Sequence, residues 1–169
     1  DFFMKKGKQS VLFQKDIFIN DVTSYVGKRE SEGNLHDYFQ NVLKDDLMKE
    51  KSYELAETKM QKMTVEKLFE VSGKTAKDFD CIMGGDLQNQ IFATNFCARE
   101  FDIPFFGLYG ACSTFGEGLC AGGLFIESGN FKNIIVITSS HFSSAERNYR
   151  FPLELGNQRT PLSQWTVTA

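Results

Sequence analysis

The sequence predicts an α/β domain with a largely parallel sheet, and three observations carry that reading. Amphipathic helical stretches alternate with short apolar runs of strand length. Those runs end in glycine or small polar residues, where a strand hands over to a turn. None of them approaches the length that crosses a bilayer, so they read as buried strands.

Residues 9–27 alternate apolar and polar side chains (Val11, Phe13, Ile17, Ile19) and stop at Gly27, which predicts one or two strands. Residues 28–37 are a polar loop, and a short helix is predicted over 38–46. The stretch 51–72 is the clearest helix. Ala56, Met60, Met63, Val65, Leu68 and Phe69 fall near helical spacing, charged residues fill the positions between, and Gly73 supplies a C-terminal stop. Met60 and Met63 read as core packing.

Residues 80–83 form a short buried strand ending in Gly84-Gly85-Asp86, where Asp86 is placed to hold the neighbouring loop by accepting backbone N–H bonds. A helix over 89–101 carries Ile91, Asn95 and Ala98 on one stripe. Residues 104–109 are a second buried strand, a glycine-rich helix runs over 112–128, and 133–138 is the next strand. Beyond His141 the chain turns polar through Ser163, and 165–169 begins another β-like run.

The 169 residues suffice for one domain, taken as 1–169, with a real core. Seventeen phenylalanines favour large buried side chains or an apolar interface. A net charge of −3 gives no electrostatic reason to expect nucleic acid, and the short basic cluster Lys5, Lys6, Lys8 reads as a solvated terminus. The N-terminus has no signal-peptide h-region, so the chain is expected on the cytosolic side. Four cysteines (Cys81, Cys97, Cys112, Cys120) form no C-x-x-C pair, and only His36 and His141 are present to join them, so neither a metal site nor a disulfide framework is expected.

The segment Gly110-Ala111-Cys112-Ser113-Thr114 carries the most chemistry. A strand running straight into a helix through small residues sets Cys112 at a helix N-terminus, where free N–H groups and the helix dipole favour a thiolate. That geometry suits two tasks: nucleophilic attack on an acyl group, or holding a carboxylate on the helix end. Core packing accounts for Cys81, Cys97 and Cys120.

Several segments match one family in order and spacing: Gly7-Lys8-Gln9, Gly84-Gly85-Asp86-Leu87-Gln88-Asn89-Gln90, Gly110-Ala111-Cys112-Ser113-Thr114, Thr138-Ser139-Ser140-His141, and Ala145-Glu146-Arg147-Asn148-Tyr149-Arg150-Phe151-Pro152. Together they resemble the stage V sporulation protein AD family, a branch of the thiolase superfamily. The resemblance implies a thiolase-like N-terminal half (βαβαβαβ(β)), a mostly parallel mixed sheet flanked by helices. It further implies a non-enzymatic protein of sporulation and germination that binds dipicolinic acid, often as its calcium chelate. Such proteins help move that ligand into the developing spore with other products of the same operon, sit peripherally on the cytoplasmic face of the spore inner membrane, and pack as homo-oligomers of the thiolase type. Family members are about twice as long. Without the second half, Cys112 has no evident general base unless His141 serves.

Dipicolinate is a flat ring flanked by two carboxylates, so its site needs donors at both ends and an apolar slot. The amides of Cys112, Ser113 and Thr114 can take one carboxylate, and Arg147 or Arg150 the other. His141 follows a strand end, where α/β sheets place ligands, and Phe142 or Tyr149 can line the slot. The plain alternatives are that Arg147 and Arg150 pair with Glu146 or Glu154, and that His141 is a hydrogen-bonded structural residue. The alternative function is an acyltransferase with Cys112 as nucleophile.

Overall fold

A computed structural model describes residues 5–144. The central element is β5 (Cys81–Gly85), with β6 (Phe105–Gly107) on one side and β7 (Ile134–Thr138) on the other, all parallel. Three helices cover this sheet: α1 (Tyr53–Ser72), α2 (Phe92–Arg99) and α3 (Thr114–Glu127). The result is the mixed α/β architecture with a parallel sheet that the alternation of elements predicts.

Strand periodicity decides which helix goes where. Ile82, Ile135 and Ile137 point to one face and join Val65 of α1 and Cys97 and Ala98 of α2 in the main core, closed by Leu68, Phe69, Phe79, Phe101 and Phe105. Phe69 stacks on Phe79 at 5.6 Å and meets Phe101 edge-on at 5.5 Å. Ile134, Val136 and Met83 point to the opposite face, toward Gly118 and Gly122 of α3. A Cβ on Gly118 would lie 2.6 Å from Val136, so the glycines let α3 sit close on the sheet. The crossover β5–α2–β6 runs one way along the sheet and β6–α3–β7 runs back over β5. Right-handed crossovers in opposite directions put their helices on opposite faces.

Helix α1 starts where Ser52 accepts the Leu55 N–H and ends at Gly73 in the left-handed conformation (φ 68°). Its apolar stripe serves two clusters: Val65 in the main core, and Ala56 and Met60 with Leu43 and Met48 in a second one. The charged positions between are not all solvated, because Glu57 and Gln61 are fully buried.

The N-terminal third departs from its sequence pattern. Where one or two strands are expected over 9–27 there are two, each of only two residues: β2 (Ser10–Val11), antiparallel to β1 (Lys5–Lys6), and β3 (Tyr25–Val26). Phe18, Ile19 and Val22 lie exposed, so the alternation is not read by a sheet face. Phe13 seats its ring over Gly123 of α3 instead, and Glu127 anchors the turn by accepting the Gln14 and Lys15 N–H groups at 3.0 and 3.1 Å. The helix expected over 38–46 is absent. Residues Asn41–Val42 form β4, parallel to β3, and Asp45 accepts the Leu47 and Lys49 N–H groups in a side-chain turn that competes with a helix. Strand β5 also runs two residues further than expected, through Gly84 and Gly85.

Those two glycines sit where neighbouring backbone leaves no room. A Cβ on Gly84 would come 1.7 Å from the Ile137 carbonyl oxygen, and one on Gly85 would come 1.9 Å from that of Leu108. Gly84→Ala and Gly85→Ala should therefore each cost about 3 kcal/mol or more by urea denaturation. Gly116→Ala, on an exposed helical position with nothing within 4 Å of the new methyl, should stabilise by about 0.5–1 kcal/mol.

Candidate functional site

The C-terminal ends of β5, β6 and β7 open on one edge of the sheet. The loop after β5 leads to α2 on one face, and the loop after β6 leads to α3 on the other. Adjacent strands whose loops part in this way leave a crevice, the usual ligand position in open α/β sheets. The Gly84–Gln90 and Gly110–Thr114 motifs flank that crevice, and the segment holding Ser139 and His141 leaves the same edge.

Around Cys112 the chain makes a single 3-10 turn, Ala111–Ser113, before α3 begins. Ala111 adopts a left-handed conformation (φ 51°), which a residue with a Cβ enters at a cost of about 1 kcal/mol. The Cys112 thiol is exposed, and the described hydrogen bonds use neither it nor the Cys112 amide. The expectation that all three amides of the turn are free is corrected. The Ser113 N–H donates to the Gly110 carbonyl at 3.0 Å, and the Thr114 N–H donates to that of Ala111. The Ser113 hydroxyl donates to Glu117 (2.5 Å) in the first turn of α3, and buried Thr114 accepts the Gly110 N–H at 3.0 Å. A carboxylate of the chain thus already stands at this helix end.

His141 is fully buried, and both ring nitrogens meet backbone groups. Its Nε2 meets the Asp46 carbonyl oxygen at 2.8 Å, and its Nδ1 accepts the Ser143 N–H at 3.1 Å. These partners assign the neutral tautomer with the proton on Nε2. The Tyr53 ring lies against the imidazole at 5.3 Å between centroids. Both nitrogens being engaged, His141 is not poised as a base for Cys112. Arg147, Arg150 and Tyr149 lie outside the described residues.

Behind the crevice lies a buried polar network whose carboxylates have donors from several elements. Asp86 accepts the Gln88 N–H on one oxygen (2.9 Å) and the Thr94 N–H and hydroxyl on the other (2.7 and 2.6 Å), so it holds the loop after β5 onto α2. Glu57 accepts from Ser139 at 2.7 Å on Oε1, and from Ser144 at 2.6 Å and Gln88 Nε2 at 2.7 Å on Oε2. Gln61 Nε2 donates to Thr94 and Ser139 at 2.8 and 2.6 Å, while its Oε1 is buried with no partner. Desolvation pushes the Glu57 pKa up, against the three donors that lower it, and Asp86 adds a smaller upward push. Sequence reasoning found Asp86 but missed Glu57 and Gln61. The available signal was that they stand four apart beside Ala56 and Met60, on the face that the apolar stripe buries.

Among the described residues no group of three His, Cys, Asp or Glu side chains is placed to hold a metal ion, and no helix is long and apolar enough to cross a membrane.

Comparison with known proteins matches a family over nearly the whole chain. The family model described as Stage V sporulation protein AD matches residues 7–169. The stage V sporulation protein AD of Bacillus subtilis (strain 168) is 34% identical over 162 residues, which cover 96% of this chain and 48% of that protein. The chain therefore spans about half the length of that curated relative. Among solved structures, the 3-oxoacyl-(acyl-carrier-protein) synthase III of Aquifex aeolicus VF5 is similar with a TM-score of 0.45 and 23% identity, over 56% of this chain and 32% of its own.

Cysteine exposure divides the four thiols. Cys120, expected in the core, is exposed on α3 because Gly118 and Gly122 face the sheet instead. Cys81 and Cys97 are buried, and desolvation raises their pKa values to about 11 and about 12. An alkylating reagent followed by mass spectrometry should add two labels rapidly, at Cys112 and Cys120. The other two should appear only on unfolding.

Proposed function

The chain belongs to the stage V sporulation protein AD family, and from that membership we propose that it is part of a non-catalytic protein binding dipicolinic acid during spore formation. In this reading the ligand, with or without calcium as its chelate, lies at the C-terminal edge of the sheet. The Cys112 turn contacts one carboxylate, and Arg147 or Arg150 receives the other as a bidentate pair. The protein acts in uptake of the ligand into the developing spore, peripheral to the inner membrane, with other products of its operon and as a homo-oligomer.

The observation favouring binding over catalysis is the state of His141. A thiol nucleophile needs a base within hydrogen-bond reach, and the nearest expected candidate has both nitrogens committed to Asp46 and Ser143. The exposed Cys112 thiol beside the crevice supports the second reading, an acyltransferase of the thiolase or ketoacyl synthase kind.

Cys112→Ser separates the two. A binding protein should show no turnover with acyl thioesters in either form, and its dipicolinate affinity should change by about threefold or less, because a hydroxyl donor replaces a weak thiol donor. An acyltransferase should lose both turnover and covalent acyl labelling. Isothermal calorimetry of dipicolinate against the folded full-length protein should give saturable heat, and a flat titration sinks the binding reading.

A further inference from the structure

Glu57 holds both ends of the segment that leaves β7. Its Oε1 takes the Ser139 hydroxyl and its Oε2 the Ser144 hydroxyl, five residues apart, with His141 between them. Helix α1 is thus tied to the strand end and to the start of the chain that leads toward Arg147 and Arg150. Ser144 has a second acceptor within reach, the His141 carbonyl oxygen at 2.9 Å. We propose that Glu57 is a proton-sensitive latch on residues 139–144: ionised, it grips both serines; protonated, it loosens the segment.

The hydrogen-bond inventory gives the sense of the change. A carboxylate accepts only, so both serine hydroxyls point at it and form charge-assisted bonds. A proton on Oε2 turns that oxygen into a donor toward Ser144 Oγ. The Ser144 hydrogen then swings to the His141 carbonyl oxygen, and neutral bonds of about half the strength replace the charged ones. Among the described residues, Gln88 and Asp86 from the loop after β5 and Ser139 and Ser144 from the segment act on Glu57; Gln61 of α1 and Thr94 of α2 join through Ser139 and Asp86, and His141 lies between the two serines in sequence. Of these Asp86 and His141 are the ionisable residue types. Asp86 is of like charge and favours the proton on Glu57.

Global stability responds with the opposite sign. Burial raises the Glu57 pKa in the fold, so its contribution is fully present below the ordinary carboxylate value and is lost as pH rises through the raised one. Acidification through that window therefore favours the fold at Glu57 while weakening its grip on residues 139–144, which distinguishes the latch from general acid unfolding.

Amide hydrogen exchange of Ser143 and Ser144, followed by NMR from neutral pH down through the carboxylate range and corrected for intrinsic rates, tests this without any ligand. Wild type should lose about tenfold in protection at these two amides as Glu57 takes its proton, with no loss in the core strands. Glu57→Gln should start at the lower protection and show no such loss on acidification. Equal protection and equal pH response in the two proteins overturns the proposal. Should Glu57→Gln fail to fold, Ser144→Ala removes one grip and should reduce the response in the same way, and a full wild-type response in that variant overturns it.

Discussion

The fold depends on how it satisfies two buried carboxylates. Glu57 and Asp86 stand within the hydrophobic frame, where an unpaired charge costs several kcal/mol. Each is met by donors that arrive from other elements: Gln88 from the end of β5, Thr94 from α2, Ser139 and Ser144 from beyond β7. The apolar contacts between α1, α2 and the sheet are non-directional and would tolerate sliding. The carboxylates do not, because a shift of about 1 Å along any element strands a donor. They fix register at the C-terminal edge, where the motifs converge.

Much of this was legible in the sequence and some was not, for reasons that differ by element. Helix α1 announced itself by period and by the Gly73 stop, and the three core strands by short apolar runs with small residues at their ends. The helical period follows from burial of one face, and of the strands only β5 is buried throughout, β6 being partly exposed. The region before α1 misled because alternation is meaningful only when a neighbouring strand reads it. Ile19 belongs to the alternating set, yet it lies exposed and faces no sheet. Residues 38–46 misled because the Asp45 turn, a side-chain-to-backbone preference, outweighs a weak helical pattern.

The candidate site divides along similar lines. The strand-to-turn placement of Cys112 was readable from small residues, but the engagement of Ser113 and Thr114 within the turn was not, because it depends on where Glu117 folds back. His141 was visible as a histidine after a strand. One of its two partners, the Asp46 carbonyl, lies almost a hundred residues away, a contact no local pattern encodes. Glu57 was hidden by a habit of reading charged residues between apolar ones as solvated. Position relative to the stripe, not residue type, was the better guide.

The tie between the first residues and α3 carries a consequence for how the chain comes together. Glu127 receives the Gln14 and Lys15 amides across separations of 113 and 112 positions, and Phe13 fits over Gly123. During synthesis the early segment has nothing to dock on until the glycine-rich helix has emerged, about a hundred residues later. Contacts of such separation form late and slow the search for the native topology. Phe13 therefore waits for its seat until α3 has been made.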